Sequence, residues 1–174
     1  TLSGADSTEH SLSSSSLTFT TSNWNTAQTI TVTGANDAVV DGDITTTLTA
    51  TASNTGGYAG TETATTTLKT SDNDAAGITI AQTGTTDGSG NLLTTEAGST
   101  STFTVVLDAQ PTADVTVTLS GADSTEHSLS TSSLTFTADN RNTAQTITVT
   151  GIDDSLDDGD ITTTLTATAS NSGG

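Results

Sequence analysis

The chain is short of several residue types, and each shortage excludes a class of structure or partner. It has no cysteine, so disulfide bonds cannot hold the fold together and packing or metal ions must do so. Only Lys69 and Arg141 are basic, against 20 acidic residues, and the net charge is −18. Two cations can neither neutralise a nucleic acid nor hold an anionic membrane surface. We therefore expect no nucleic-acid partner and no membrane insertion in this region.

The dominant pattern that is present is an internal repeat. Residues 1–57 return as residues 118–174, a period of 117 residues, with 47 of the 57 aligned positions identical. Self-similarity at the length of a domain is typical of tandem modules rather than of a single catalytic fold. Both ends of the chain fall inside a module, so we expect it to be part of a longer tandem protein in which neighbouring copies of the repeat are partners.

High charge with few aromatic residues also occurs in disordered chains, but here threonine alternates with isoleucine, valine and leucine. This alternation predicts seven strands per module and no helix. Taken across both copies, the strands cover residues 77–84, 100–108, 114–120, 133–137, 143–151, 160–170 and 62–70.

The predicted fold is therefore all-β, with tandem seven-stranded antiparallel β-sandwich modules of immunoglobulin-like size. Residues 1–76 would form the C-terminal part of one module, and residues 77–174 the next module without its last strand. The period of two predicts these inward-facing side chains: Phe103, Val105, Leu107, Val115, Val117, Leu119, Leu134, Phe136, Ile147, Val149, Ile161, Leu165, Ala64, Thr66 and Leu68.

The acidic residues are sorted by this topology. If successive strands run up and down, 16 of the 20 acidic residues fall in loops at one end of the modules and four at the other. Like charges crowded at one end are destabilising unless they are neutralised, and those loops contain no Lys or Arg. Divalent cations are the expected remedy.

Calcium is the predicted cation, because it takes six to eight oxygen ligands from carboxylates and carbonyls on flexible loops. The loop before the sixth strand, here called the acidic loop, reads NDAVVDGD at residues 36–43 and DDSLDDGD at residues 153–160. An Asp-Gly-Asp turn can also be a merely polar turn. The carboxylates shared by both copies are the first candidate ligands: Asp37 and Asp154, Asp41 and Asp158, Asp43 and Asp160.

Three stretches carry a resemblance to a known family. They are TTEAGSTSTFTVVLDAQPTADVTVTLSG, SLTFTTSNWNTAQTITVTGANDAVVDGDITTTLTA and TTTLKTSDND. Together they resemble the Calx-beta domain of large bacterial surface proteins, adhesins among them, and of the regulatory loop of sodium-calcium exchangers. The resemblance implies calcium bound by the acidic loop and by acidic residues after the first strand, after the third strand and after the last strand. In this sequence those residues are Glu96, Asp6, Asp123, Asp37, Asp41, Asp43, Asp153, Asp154, Asp158, Asp160, Asp72 and Asp74.

The expected function is structural: a calcium-stiffened repeat of a long extracellular or cell-surface bacterial protein, such as an adhesin stalk, a surface layer or a filament subunit. Other chains of such a filament or lattice would be further partners. The alternative is an adhesion module that binds a ligand or carbohydrate. Trp24 could stack on a sugar, but its counterpart is Arg141, which is more typical of tolerant surface. His10 and His127 are expected in solvated turns, and no enzymatic activity is expected.

Overall fold

The computed structural model describes residues 1–53, 55–157 and 159–170, and within these ranges the chain forms strands and no helix. The predicted all-β fold is confirmed. Nothing in the described part is a helix long and apolar enough to span a membrane. The strands are β1 (Leu2–Ser3), β2 (His10–Leu12), β3 (Val32–Gly34), β4 (Ile44–Thr51), β5 (Thr63–Thr70), β6 (Ile78–Gln82), β7 (Thr100–Leu107), β8 (Val115–Ser120), β9 (His127–Leu129), β10 (Ser133–Phe136), β11 (Gln145–Gly151) and β12 (Thr166–Ala169).

The chain divides into two compact units. Unit 1 comprises Thr1–Asp37 and Asp41–Asn73, and unit 2 comprises Ala38–Val40 and the residues from Asp74 onward. In unit 2 the described strands form two antiparallel sheets, in the orders β6-β7-β11-β9 and β10-β8-β12. Their facing side chains make one hydrophobic core, which is the arrangement of a β-sandwich.

The core of unit 2 follows from strict alternation along its strands. β8 alternates buried and exposed residues, and β7 alternates buried with half-buried ones. All ten inward-facing residues predicted on β7, β8, β10 and β11 are buried, so this part of the prediction is confirmed. Burying apolar surface at about 25 cal/mol per Å² is the main force that holds these sheets together.

The sixth predicted strand is shorter in unit 2 than expected. β12 begins at Thr166, and Ile161, which was predicted to face the core, is 48% exposed. Its counterpart in unit 1, Ile44, lies on β4 opposite Thr70 of β5. Within the described residues of unit 2, no strand pairs with the second edge of β12, so the ladder that orders Ile44 has no equivalent.

Unit 1 has a less complete pair of sheets, in the orders β1-β4-β5 and β2-β3. Leu48 is its one buried hydrophobic residue among those described. Ala64 and Thr66 were predicted to face the core but are exposed, and Leu68 is half-buried. The prediction was wrong at these positions because the second sheet of unit 1 has two strands where that of unit 2 has four.

In each copy a glycine follows a strand and begins the turn that contains a candidate ligand, Asp6 or Asp123. Gly4 and Gly121 have φ angles of 91° and 90°, which favour glycine. A Cβ atom at either position would collide with a carbonyl oxygen, that of Thr47 or that of Thr164. Only glycine therefore lets the chain pass this close to the carbonyl group of the neighbouring strand segment.

Candidate metal centre

The turn that follows Gly4 is built around Asp6. Its Oδ1 atom accepts hydrogen bonds from the Thr8 amide at 3.0 Å and the Thr8 hydroxyl at 2.7 Å. These bonds favour the carboxylate and lower the pKa of Asp6. The Asp6 carbonyl accepts from the amides of Glu9 and His10, at 3.3 and 3.0 Å. The turn thereby delivers Glu9 to the start of β2.

His10 anchors this segment in the interior. It is only 3% exposed, on a three-residue strand that the sequence did not predict, so the expected solvated turn is wrong here. Its ring nitrogens lie 3.4 Å from the Thr46 hydroxyl and 3.5 Å from the Thr70 hydroxyl. The Glu9 carbonyl accepts from the Ala35 amide at 2.7 Å, which ties the same segment to the entrance of the acidic loop.

Three carboxylates meet where these segments converge. One oxygen from each of Glu9, Asp37 and Asp41 lies within 4.8 Å of the others. Glu9 is 9% exposed, whereas the two aspartates are exposed. Such a group could hold a metal ion, because hard cations bind clustered carboxylate oxygens on flexible loops.

The pKa of Glu9 shows that its ionised form is destabilised by this arrangement. Burial raises the pKa of Glu9, and the charges of Asp41, Asp37 and Asp6 raise it further. The hydrogen bond from the Thr8 hydroxyl, at 3.4 Å, lowers this pKa but does not reverse the shift. A divalent cation would offset both the burial and the repulsion.

A second set of contacts holds the far end of the acidic loop. The Gly42 amide donates to Asp72 Oδ2 at 2.8 Å, and the Asp72 amide donates to Asp43 Oδ1 at 3.1 Å. Lys69 Nζ lies 2.5 Å from Asp43 Oδ2, and this bond lowers the pKa of Asp43. The loops themselves contain no basic residue, but a strand residue, Lys69 of β5, reaches the acidic end and neutralises one of its charges.

The structure thus brings together some of the predicted ligands and separates others. Asp37 and Asp41 lie beside Glu9, while Asp43 and Asp72 bond to each other. Asp6 and Asp123 use their side chains in their own turns, with Thr8 and Thr125. Of the remaining candidates, Asp154 accepts a hydrogen bond from the Leu156 amide at 2.8 Å, and Asp74 belongs to unit 2. Asp158 lies outside the described residues. The other three are exposed: Glu96, Asp153 and Asp160.

The second copy repeats the scaffold of the centre. The Asp123 carbonyl accepts from the amides of Glu126 and His127 at 3.3 and 3.0 Å, and the Glu126 carbonyl accepts from the Ile152 amide at 2.9 Å. His127 Nε2 lies 3.1 Å from the Thr163 hydroxyl. The same sequence therefore builds the same turn twice.

Glu9 belongs to the group of carboxylates that could hold a metal ion, but it was not among the predicted ligands. It was counted among the acidic residues of this end but not among the candidate ligands. The signal that could have identified it is the Glu-His pair that recurs at Glu126 and His127. A histidine buried between strands fixes the backbone of its neighbour, and that neighbour here is the acidic residue that turns towards the loop.

No protein-family model matches the chain, and neither a curated protein nor a solved structure matches it.

Proposed function

We propose that the chain is a structural module of a long extracellular bacterial protein, and that calcium bound by the acidic loops stiffens it. The observation that carries this proposal is the convergence of Glu9, Asp37 and Asp41 within 4.8 Å. These residues come from two separate segments of unit 1, so one ion would tie the acidic loop to the turn before β2. The resemblance of the sequence to the Calx-beta domain supports calcium among the hard cations.

The rest of the chain supports a structural role. Its two copies repeat the same turn and share three aspartates of the acidic loop, and its net charge is −18 with two basic residues. A surface of this kind stays soluble through charge repulsion but resists close packing of neighbouring modules. Bound cations would remove that repulsion, which suits an adhesin stalk, a surface layer or a filament. A cell-surface location belongs to the same proposal.

Titration calorimetry on the whole chain tests the metal centre. Calcium should bind with Kd of about 10⁻⁴–10⁻³ M, the range of extracellular modules. The double variant Asp37→Asn, Asp41→Asn removes two of the three carboxylates and should weaken binding to unit 1 by at least about tenfold. At roughly ten times Kd, calcium should raise the melting temperature of unit 1 by about 5–10 °C, and the variant should lose this increase.

The matched control is Asp139→Asn, which removes one charge from an exposed turn of unit 2. It should leave calcium binding unchanged. Equal binding heats for the wild type and the double variant would contradict the proposed centre. A sodium chloride series at equal ionic strength separates binding from general screening.

A second candidate function is adhesion to a carbohydrate or another ligand. It rests on Trp24 and Tyr58, whose rings are 71% and 59% exposed and line one groove of unit 1. Aromatic rings that face solvent can stack on sugars, so a polysaccharide that quenches Trp24 fluorescence would favour this function.

A further inference from the structure

The chain contains three Asp-Gly pairs, and the structure holds two of them in opposite ways. They lie at residues 41–42, 87–88 and 158–159, and Asp158 is outside the described residues. In such a pair the backbone amide of the glycine can attack the side-chain carboxyl of the aspartate, because glycine places no side chain in the path of the attack. In a folded chain this reaction depends on how the carboxyl group and the amide are held.

Asp87 is restrained by its own turn. Its Oδ2 atom accepts from the side-chain amide of Asn91 at 2.9 Å, and its Oδ1 atom accepts from the backbone amides of Asn91 and Ser89, both at 2.8 Å. The bonds from Asn91 and Ser89 lower the pKa of Asp87, so the group stays ionised. An ionised carboxylate is a poor electrophile, and three bonds fix its position. We therefore expect Asp87 to stay unreacted in the folded chain.

Asp41 lies in a much more open part of the acidic loop. Its side chain is exposed, and within the described part of the chain no hydrogen bond to its carboxylate is recorded. Gly42 follows with a φ angle of 78°, and a Cβ atom at Gly42 would meet no atom within 4 Å. Neither hydrogen bonds nor neighbouring side chains therefore hinder the approach of the Gly42 nitrogen to the Asp41 carboxyl.

The Gly42 amide also faces a base. It donates to Asp72 Oδ2 at 2.8 Å. Asp72 is held in turn, because its own amide donates to Asp43 Oδ1 at 3.1 Å and Asp43 pairs with Lys69. A carboxylate that accepts the proton of an attacking nitrogen occupies the position of a general base. The same contacts that hold the end of the acidic loop therefore place a base on the nucleophile.

We propose that Asp41 and Gly42 form a self-modification site, at which aspartate isomerises to isoaspartate with Asp72 as the base. The Gly42 nitrogen attacks Cγ of the Asp41 carboxyl in its acid form. The N–Cγ bond forms, the Cγ–OH bond breaks, and the amide proton passes through Asp72 to the leaving hydroxyl, which departs as water. Water then opens the resulting cyclic imide at the backbone carbonyl carbon of Asp41. The bond from that carbon to the Gly42 nitrogen breaks, and the chain now runs through Cγ.

The product would alter the candidate metal centre. Isoaspartate adds one carbon to the backbone and carries its free carboxylate directly on Cα. The carboxylate of residue 41 would therefore lose its place within 4.8 Å of Glu9 and Asp37, and the affinity for a cation would fall as the isomer accumulates. This consequence rests on the proposed function, whereas the modification itself does not, because its two reacting groups and its base are defined without an ion.

Incubation of the whole chain with a chelator at neutral pH tests the proposal. Trypsin cleaves after Lys69 and Arg141, and so places the three Asp-Gly pairs in three different peptides. Mass spectrometry detects the cyclic imide by the loss of one water, and an isoaspartyl methyltransferase measures the isomer in each peptide. In the folded chain the isomer should accumulate at Asp41 at least about fivefold faster than at Asp87. In denaturant the two rates should converge, because neither carboxyl is then held.

A matched pair of variants tests the base. Asp72→Asn keeps a side-chain oxygen that can accept from the Gly42 amide but removes the basic group, and should slow the reaction at Asp41 at least about tenfold. Asp139→Asn removes the same charge from an exposed turn of unit 2 and should leave the rate unchanged. Equal rates at Asp41 and Asp87 in the folded wild type would overturn the proposal. An unchanged or faster reaction at Asp41 in Asp72→Asn would overturn it as well.

Discussion

At the scale of single residues, Asp6 and Glu9 show how two neighbouring carboxyls come to opposite electrostatic states. Hydrogen bonds from Thr8 lower the pKa of Asp6, so its charge is stabilised within its own turn. Burial and the charges of three aspartates raise the pKa of Glu9, so the ionised form of Glu9 is destabilised. Of the two, Glu9 is the residue with more to gain from a cation.

The effect of the substitution Glu9→Gln on the free energy of unfolding should therefore depend on pH and on divalent cations. A folded-state pKa above the usual range of roughly 4–5 means that the folded chain holds the proton more tightly than the unfolded chain. Ionisation of Glu9 then lowers stability as pH rises from that range through the raised pKa. At neutral pH without divalent cations, Glu9→Gln should be more stable than the wild type, and below pH 4 the two should converge.

In millimolar calcium the order should reverse, because the variant lacks one carboxylate charge of the proposed metal centre. Amide exchange on β4 and β5, which lie in unit 1, measures the stability of that unit. Asp139→Asn serves as the control and should show neither effect. A Glu9→Gln variant that is less stable than the wild type in chelator as well as in calcium would contradict this account.

At the scale of elements, the alternation of apolar and polar residues predicts the long strands. Short strands and contacts between segments distant in the sequence are not predicted. β7 and β11 are predicted within two residues because alternation over seven or eight positions is a strong signal. β2 and β9 have three residues each, too few for a period of two, and were not predicted. The aspartates of the acidic loop were found because they are neighbours in sequence, whereas Glu9 joins them only through the pairing of β2 with β3.

Turns are elements whose chemistry can be tested by a matched pair of substitutions. Gly121→Ala places a Cβ at φ of 90° and against the Thr164 carbonyl, whereas Gly90→Ala places one at φ of 87° in open space. Both variants should lose about 1–2 kcal/mol from backbone strain. Gly121→Ala should lose at least about 1 kcal/mol more, because its steric clash is with backbone.

Chemical denaturation, followed by amide exchange in unit 2, measures the loss in free energy of unfolding for both variants. Equal losses for Gly121→Ala and Gly90→Ala would show that the close approach to Thr164 has no energetic weight. A larger loss for Gly90→Ala would contradict the geometry of both turns.

At the scale of the whole molecule, charge is the dominant property. Twenty acidic residues are opposed by two basic side chains, which leaves a net charge of −18, and one of the two, Lys69, pairs with Asp43. Repulsion between exposed carboxylates acts within a Debye length of about 8 Å at physiological salt. The cations that the proposed function invokes would act on this repulsion as well as on the local turn.

Small-angle scattering from three or more tandem repeats tests this consequence. Without divalent cations the repeats should sample a broad distribution of lengths, and calcium should narrow it. Sodium chloride at equal ionic strength should reproduce little of the change. If sodium acts as well as calcium, the acidic loops are solvated surface and the stiffening role is wrong.

The contacts at the end of the acidic loop also depend on how β4 and β5 align. These strands pair over eight residues, and their sequences ITTTLTAT and TATTTLKT consist largely of threonine. A slip of two residues, about 7 Å, would keep each side chain on its own face and exchange threonine for threonine at several positions. It would also carry Lys69 away from Asp43 and Asp72 away from Gly42. The charged end of the loop is thus compatible with only one of several alignments that are otherwise nearly equivalent, and the contacts of His10 with Thr46 and Thr70 favour the same one.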